Sequence, residues 1–131
     1  MEELFNLGIL QETINIMKEV NPEINDLSSS EILAKTDLLK QMHCDDSQIV
    51  EIISCNPIFL SRTNTEVTIL LSYLIKRGFT TINLLLDSNP FILNLEPFEI
   101  DNYINKRNRN GETIDEIVDD LDSNPYLFNE V

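Results

Sequence analysis

The dipeptide Asn-Pro occurs four times, at Asn21-Pro22, Asn56-Pro57, Asn89-Pro90 and Asn124-Pro125, with the prolines 35, 33 and 35 residues apart. A fixed period of this length means one supersecondary unit copied along the chain, each copy needing its neighbours to bury its apolar face. The copies agree beyond the dipeptide. Eight residues before every proline stands an isoleucine: Ile14, Ile49, Ile82 and Ile117. Four residues before it stand Lys18, Ile53, Leu86 and Leu121. An apolar triplet follows three of the prolines, as Ile58-Phe59-Leu60, Phe91-Ile92-Leu93 and Tyr126-Leu127-Phe128, and Asp-Ser-Asn-Pro recurs verbatim at 87–90 and 122–125.

Each copy reads as two helices and a short 3₁₀ turn. Proline drives the residue before it out of the α region and so stops the preceding helix. Asn then serves as N-cap, and Pro as the first residue of the new turn, where its missing N–H costs nothing. The second helices fall at roughly 11–20, 46–54, 80–87 and 113–121, and the first helices at 29–42, 65–77 and 97–109 with a stub at 2–7. Ser28…Glu31, Thr63…Glu66 and Thr113…Glu116 have capping-box spacing, and Pro97 suits a first helical position. Gly8, Gly78 and Gly111 fall where a first helix ends, His43 takes that place in the second copy, and a two-residue deletion in the third copy falls in this turn. Val67, Leu70, Leu71, Leu74 and Ile75 share one helical face, as Ile32, Leu33, Leu38, Leu39 and Met42 do less cleanly. The expected fold is all-α: a right-handed or curved α-solenoid of about four helix–helix–3₁₀ repeats of 33–35 residues. It forms a single domain over 1–131, with repeats near 1–27, 28–62, 63–95 and 96–131. The third copy is the most apolar and the first and fourth are more polar, as the ends of a stack should be.

Charge narrows the function. Nine Lys and Arg stand against 23 Asp and Glu, a net −14 in 131 residues, which argues against coating nucleic acid or binding anionic membranes. The start, Met1-Glu2-Glu3, is acidic and no apolar run approaches about 18 residues, so neither export nor membrane spanning is expected. Two cysteines make no disulfide framework, and a cytoplasmic setting fits. His43 beside Cys44 is a weak candidate for a nucleophile pair, since adjacent residues rarely face each other productively; a loop residue at a helix C-terminus is the plainer reading. Cys55 reads as a small core filler. With no phosphate loop, HExxH, CxxC or EF-hand spacing, no catalytic residue, cofactor or metal is expected.

Two charged groups remain. Glu112, Asp115, Glu116, Asp119, Asp120 and Asp122 form a dense acidic run, and residues 112–131 carry seven acids and no base. Such a run is either a solvated helix face or the surface that meets a basic partner; several of its members repel at i, i+3 and i+4. Glu19, Asp87 and Asp122 share the position three before proline, where they either cap the next turn or line up as an acidic column. The second group, Lys76, Arg77, Lys106, Arg107 and Arg109, lies near the ends of first helices with Lys40. It either complements helix dipoles or forms a phosphate-contacting ridge.

A turn glycine, an isoleucine, a proline eight residues on and an apolar triplet together resemble the repeat of mitochondrial transcription termination factor proteins. The stretch from Gly78 to Leu93 carries it best, through Ile82, Leu85, Leu86, Pro90, Ile92 and Leu93, and Gly111 to Phe128 follows through Ile117, Leu121, Pro125, Leu127 and Phe128. The resemblance implies a curved stack of helix–helix–3₁₀ units and nucleic-acid binding through a basic concave surface, a role open here only to the ridge Lys76, Arg77, Lys106, Arg107 and Arg109.

The residues favour a non-enzymatic protein that occupies a basic protein partner through Glu112, Asp115, Glu116, Asp119, Asp120 and Asp122. It would act as an inhibitor, immunity protein or adaptor, in one version as a nucleic-acid mimic blocking a nuclease or other nucleic-acid-binding protein. The alternative is a small nucleic-acid binder of the family type, acting in transcription regulation through the basic ridge. Tyr126, Leu127 and Phe128 either pair two copies or close the core, giving a monomer or weak dimer.

Overall fold

The computed structural model describes residues 2–131, and among them the chain is all-helical, with no strand. The α-helices are α1 (Glu2–Asn6), α2 (Gln11–Val20), α3 (Ser29–Gln41), α4 (Asp46–Cys55), α5 (Asn64–Arg77), α6 (Ile82–Ser88), α7 (Pro97–Arg109) and α8 (Ile114–Ser123). Four 3₁₀ turns, Pro22–Asp26, Pro57–Ser61, Pro90–Asn94 and Pro125–Glu130, each open on the proline of an Asn-Pro pair. No single helix among the described residues is long and apolar enough to cross a membrane.

Local signals explain the boundaries. Gly8, Gly78 and Gly111 adopt φ of 94°, 101° and 106°, and His43 is the non-glycine residue that takes their place at φ 70°. A left-handed residue here lets the chain reverse between the two helices, at a cost to His43 that glycine escapes. Thr63 and Glu66 form a full capping box at the start of α5, whereas Ser28 and Thr113 accept only the N3 amide. A further full box, Asp45 with Gln48, starts α4. The shortened turn after Gly78 leaves α6 at seven residues, with no side-chain cap from Thr81.

Three columns of contacts organise the chain. The first helices touch in the order α1, α3, α5, α7; the second helices in the order α2, α4, α6; and the 3₁₀ turns touch from first to last. α8 packs on α7 and on its own 3₁₀ turn. The core lies between the columns. The recurring isoleucines Ile14, Ile49 and Ile117 are fully buried and Ile82 nearly so, as are Leu4, Ile32, Leu39, Val67, Leu70, Leu74, Ile100 and Ile104 from the first helices.

The asparagines do more than cap. Asn21 and Asn89 accept a backbone N–H two residues on, but Asn56 and Asn124 make no such bond, so the N-cap role holds for two of the four. Three of them share another task. Asn21 Nδ2 donates to the Pro57 carbonyl (3.0 Å) and Ser61 Oγ (2.7 Å). Asn56 Nδ2 donates to the Pro90 carbonyl and Asn94 Oδ1, both at 3.0 Å. Asn89 Nδ2 donates to the Pro125 carbonyl (2.9 Å) and Asn129 Oδ1 (3.0 Å). Each staple fastens one 3₁₀ turn to the next and satisfies buried polar groups that would otherwise cost about 1–3 kcal/mol apiece.

At the two ends the staple is replaced locally. The Pro22 carbonyl accepts from Asn25 (3.2 Å), which stands where Leu60, Leu93 and Phe128 are buried elsewhere. Asn124 Nδ2 turns back to the Asp120 carbonyl (3.3 Å) and Oδ1 (2.9 Å), and Asp120 stands where Met17, Ile52 and Leu85 are buried.

Several burial expectations are corrected. Ile75 and Leu33 are 54% and 50% exposed, because the partner helices cover a narrower arc than the apolar spacing marks out. Inside α3 the buried positions include Lys35 and Thr36. Thr36 satisfies its hydroxyl on the Leu33 carbonyl (2.8 Å), and Lys35 lies with its stem along the core and its amine pushed below its usual pKa by desolvation, which Glu31 opposes. Cys55 is exposed rather than a core filler, while Cys44 is buried. Phe128 is buried against Phe79 (ring centroids 5.7 Å apart), which closes the core, while Tyr126 points out.

Candidate functional site

Three arginines, Arg62 just before α5, Arg77 on α5 and Arg107 on α7, are held in ion pairs. Arg62, its side chain only 10% exposed, donates to the Leu93 (2.7 Å) and Leu95 (3.0 Å) carbonyls and pairs with Glu66 (3.4 Å) and Glu96. Arg77 pairs with Asp101 at 2.8 Å, lies over the Tyr73 ring and reaches the Tyr73 hydroxyl. Tyr73 donates to the same carboxylate, and burial followed by that acidic partner pushes its phenol up to about 12. One helix further on the motif repeats. Arg107 lies over Tyr103 and binds Glu112 (2.7 Å) and Asp120 (2.8 Å). Its hydrogen bonds hold the Glu112 carboxyl below its usual pKa.

The predicted ridge is therefore divided. Arg77 and Arg107 are half-buried and neutralised, while Lys76, Lys106 and Arg109 are exposed, with no ion pair among the described residues. Lys106 and Arg107 border an open concavity of about 480 Å³ near the C-terminal end, whose lining also includes Asp120 and Glu130.

The acidic run is divided as well. Glu112 and Asp120 belong to the Arg107 cluster, which removes part of the repulsion that spacing alone implies. Glu116 is engaged with the Thr113 cap through its backbone amide and carboxylate, and remains exposed. Asp115 and Asp119 are exposed on α8. Asp122 is half-buried; its Oδ2 lies 3.4 Å from Thr80 Oγ1, and its Oδ1 is buried without a hydrogen-bond partner. Asp87, at the corresponding place on α6, has the same buried and unpartnered Oδ1, as has Ser54 Oγ on α4. These side chains do not cap the next turn: Asp87 stands against Glu51 of α4 and Asp122 against the turn before α6. A hydrogen bond to Asp87, then its charge, raises the Glu51 carboxyl above its ordinary pKa of 4.5.

The columns also differ in charge: the second helices are strongly acidic, whereas the first helices are balanced once Glu2 and Glu3 of α1 are counted. The second helices carry Glu12, Glu19, Asp46, Glu51, Asp87, Asp115, Glu116, Asp119, Asp120 and Asp122 against one base, Lys18. The first helices α3, α5 and α7 carry Lys35, Lys40, Lys76, Arg77, Lys106, Arg107 and Arg109 against Glu31, Asp37, Glu66, Glu99 and Asp101. Sequence reading found the α8 acids but missed Glu51, whose partner Asp87 lies on another helix.

His43 is exposed, and Cys44 is buried with its thiol pushed up to about 11, chiefly by burial. That is the opposite of the lowered pKa that makes a thiolate nucleophile. No group of three or more His, Cys, Asp or Glu among the described residues could hold a metal ion.

Fold and surface together define a class: an all-α protein in which α5 and α7 are tied by an ion pair and the second helices are strongly acidic. No family model, curated protein or solved structure matches the chain.

Proposed function

We propose that the chain is a curved α-solenoid of about four helix–helix–3₁₀ repeats and that it acts by occupancy. Through the second-helix column it binds a basic protein partner, as an inhibitor, immunity protein or adaptor. The observation that carries this reading is the charge of the second-helix column: ten acids stand against one base, Lys18, and Asp120 is the one among them that pairs with a first-helix base, Arg107. A one-signed surface accelerates encounter with an oppositely charged partner and excludes partners of like charge. Asp115, Glu116 and Asp119 on α8 are its most exposed cluster; Asp122 lies on the same helix, and Glu51 on α4 and Asp87 on α6 extend it along the chain. Carboxylates set on rigid helices also suit a nucleic-acid mimic, since they stand where a basic groove expects phosphates.

The test is affinity purification from nuclease-treated native lysate, using the wild type and Asp115→Asn/Glu116→Gln/Asp119→Asn in parallel. Recovery of a basic protein by the wild type, with association to the variant slowed about tenfold or more at low salt, supports the reading. Equal recovery by both removes α8 from the interface.

The alternative, a nucleic-acid binder of the mitochondrial transcription termination factor type, draws on the exposed Lys76, Lys106 and Arg109, which lie on the neighbouring helices α5 and α7. It requires retention on heparin at low salt, lost steeply as salt rises and abolished by Lys76→Ala/Lys106→Ala/Arg109→Ala.

A further inference from the structure

Along the 3₁₀ column, the residue directly after proline faces out. Ile58, Phe91 and Tyr126 are 48%, 49% and 65% exposed. Their three turns touch in order, so these side chains form a row with one residue per turn. Core filling does not explain their apolar character. The next residues inward, Phe59 and Ile92, are fully buried and already fill that space. The first turn has Glu23 at the corresponding position, so the fold tolerates a charge there. The second helices that touch these turns add exposed Ile16, Val20 and Leu84, and their ionised groups are acidic except for Lys18; α3, which also touches the second turn, carries Lys35 and Lys40.

We infer that this row seats one basic amphipathic α-helix of a protein partner, lying along the stack. The inference rests on the proposed function and gives the partner its form. Apolar side chains supply affinity by leaving water, while the surrounding carboxylates select positive charge and speed the encounter. Neighbouring packed elements lie about 8–10 Å apart and a helix rises about 1.5 Å per residue, so the partner meets a new row member about every five to seven residues. Its apolar residues therefore recur near i, i+7 and i+14, flanked by Lys and Arg, in the manner of a helix laid on a hydrophobic track. A second copy of this chain brings its own net −14 to the same surface and is opposed by like-charge repulsion. An anionic membrane is opposed for the same reason.

The probe is a labelled peptide of three heptads, with Leu at the a and d positions and Lys and Ala elsewhere. A scrambled peptide of the same composition serves as its control. Binding is read by fluorescence anisotropy and peptide helicity by circular dichroism. The wild type is expected to prefer the amphipathic peptide by about tenfold or more, with a gain in helicity. Ile58→Ser/Phe91→Ser/Tyr126→Ser is expected to lose that preference while keeping weak, salt-sensitive binding of the scrambled peptide. Leu33→Ser/Ile69→Ser/Phe98→Ser, which alters exposed apolar residues of the first helices, is expected to keep it. Tyr126→Ser alone changes the most exposed member and is expected to lose several-fold, which keeps the test valid if the triple variant unfolds.

Equal binding of both peptides, or a preference that survives Tyr126→Ser and the row variant, overturns the inference. The proposed function still stands in that case if basic peptides bind in a salt-dependent way. Loss of all basic-peptide binding by the wild type overturns both. A wild-type dimer in sedimentation that the row substitutions disperse assigns the row to a second copy and overturns the inference.

Discussion

The first-helix and second-helix columns come from the same spacing rules, yet they treat charge in opposite ways. In and beside the first column Arg62 (just before α5), Arg77 and Arg107 each reach across to carboxylates of the next segment, and Arg77 and Arg107 rest on tyrosines four residues earlier. These contacts join neighbouring segments. At the ends of the second helices the joining is done by neutral groups, the Asn staples to the next 3₁₀ turn, while the carboxylates repel one another: Glu51 faces Asp87, and Asp87 and Asp122 each keep a buried oxygen without a partner. Charge that binds segments together is not free to bind anything else. The column whose charge is left uncommitted is the better candidate for a partner surface.

The sharpest challenge to this division is the staple itself. Asn56→Ala removes the donor to the Pro90 carbonyl and Asn94 and is expected to cost about 1–3 kcal/mol in denaturant unfolding. Asn124→Ala removes bonds confined to its own helix and is expected to cost about 1 kcal/mol or less. Equal losses would mean that the staples do not join segments.

A smaller effect is expected in the first column. Arg107→Ala strands Glu112 and Asp120 beside the α8 acids, but both carboxylates are more than a third exposed, and solvent screening holds the loss to about 1 kcal/mol. The loss should shrink in high salt, where screening weakens both the lost attraction and the repulsion left behind. A loss independent of salt would point to packing on Tyr103 instead.

The smallest effect has the opposite sign. Because Asp87 raises the folded-state pKa of Glu51, folding binds this proton more tightly. Stabilisation from the group is present in acid and lost as pH rises through the carboxylate range. Glu51→Gln is therefore expected to raise the melting midpoint at neutral pH, with the gain fading as the pH falls through the carboxylate range and gone below about 4. A lowered midpoint at neutral pH would show that the carboxylate contributes to the fold.

Much of the helical order was legible because its causes are local. Proline geometry, glycine at a left-handed turn and the Thr63…Glu66 box each act within a few residues, and even the unusual His43 turn was marked by its place in the period. The errors lie where a distant neighbour decides. Ile75 has the right spacing for the core but no helix covers it; Cys44 rather than Cys55 is buried; Lys35 occupies a position that Leu70 fills in α5. The candidate surface divides in the same way. Asp115, Glu116 and Asp119 could be read directly, but the neutralisation of Glu112 and Asp120 depends on Arg107, and the strain on Glu51 depends on a helix more than thirty residues away.

By itself the sequence determined where helices start and stop, which residues recur at each step, and that the chain as a whole is strongly anionic. Those properties follow from short-range sterics and from a count of charges. The tertiary structure decided which charges meet. Electrostatic pairing and burial depend on distances between elements far apart in the chain, so only the packed helices could turn Arg77 and Arg107 into internal ties and set Asp87 against Glu51.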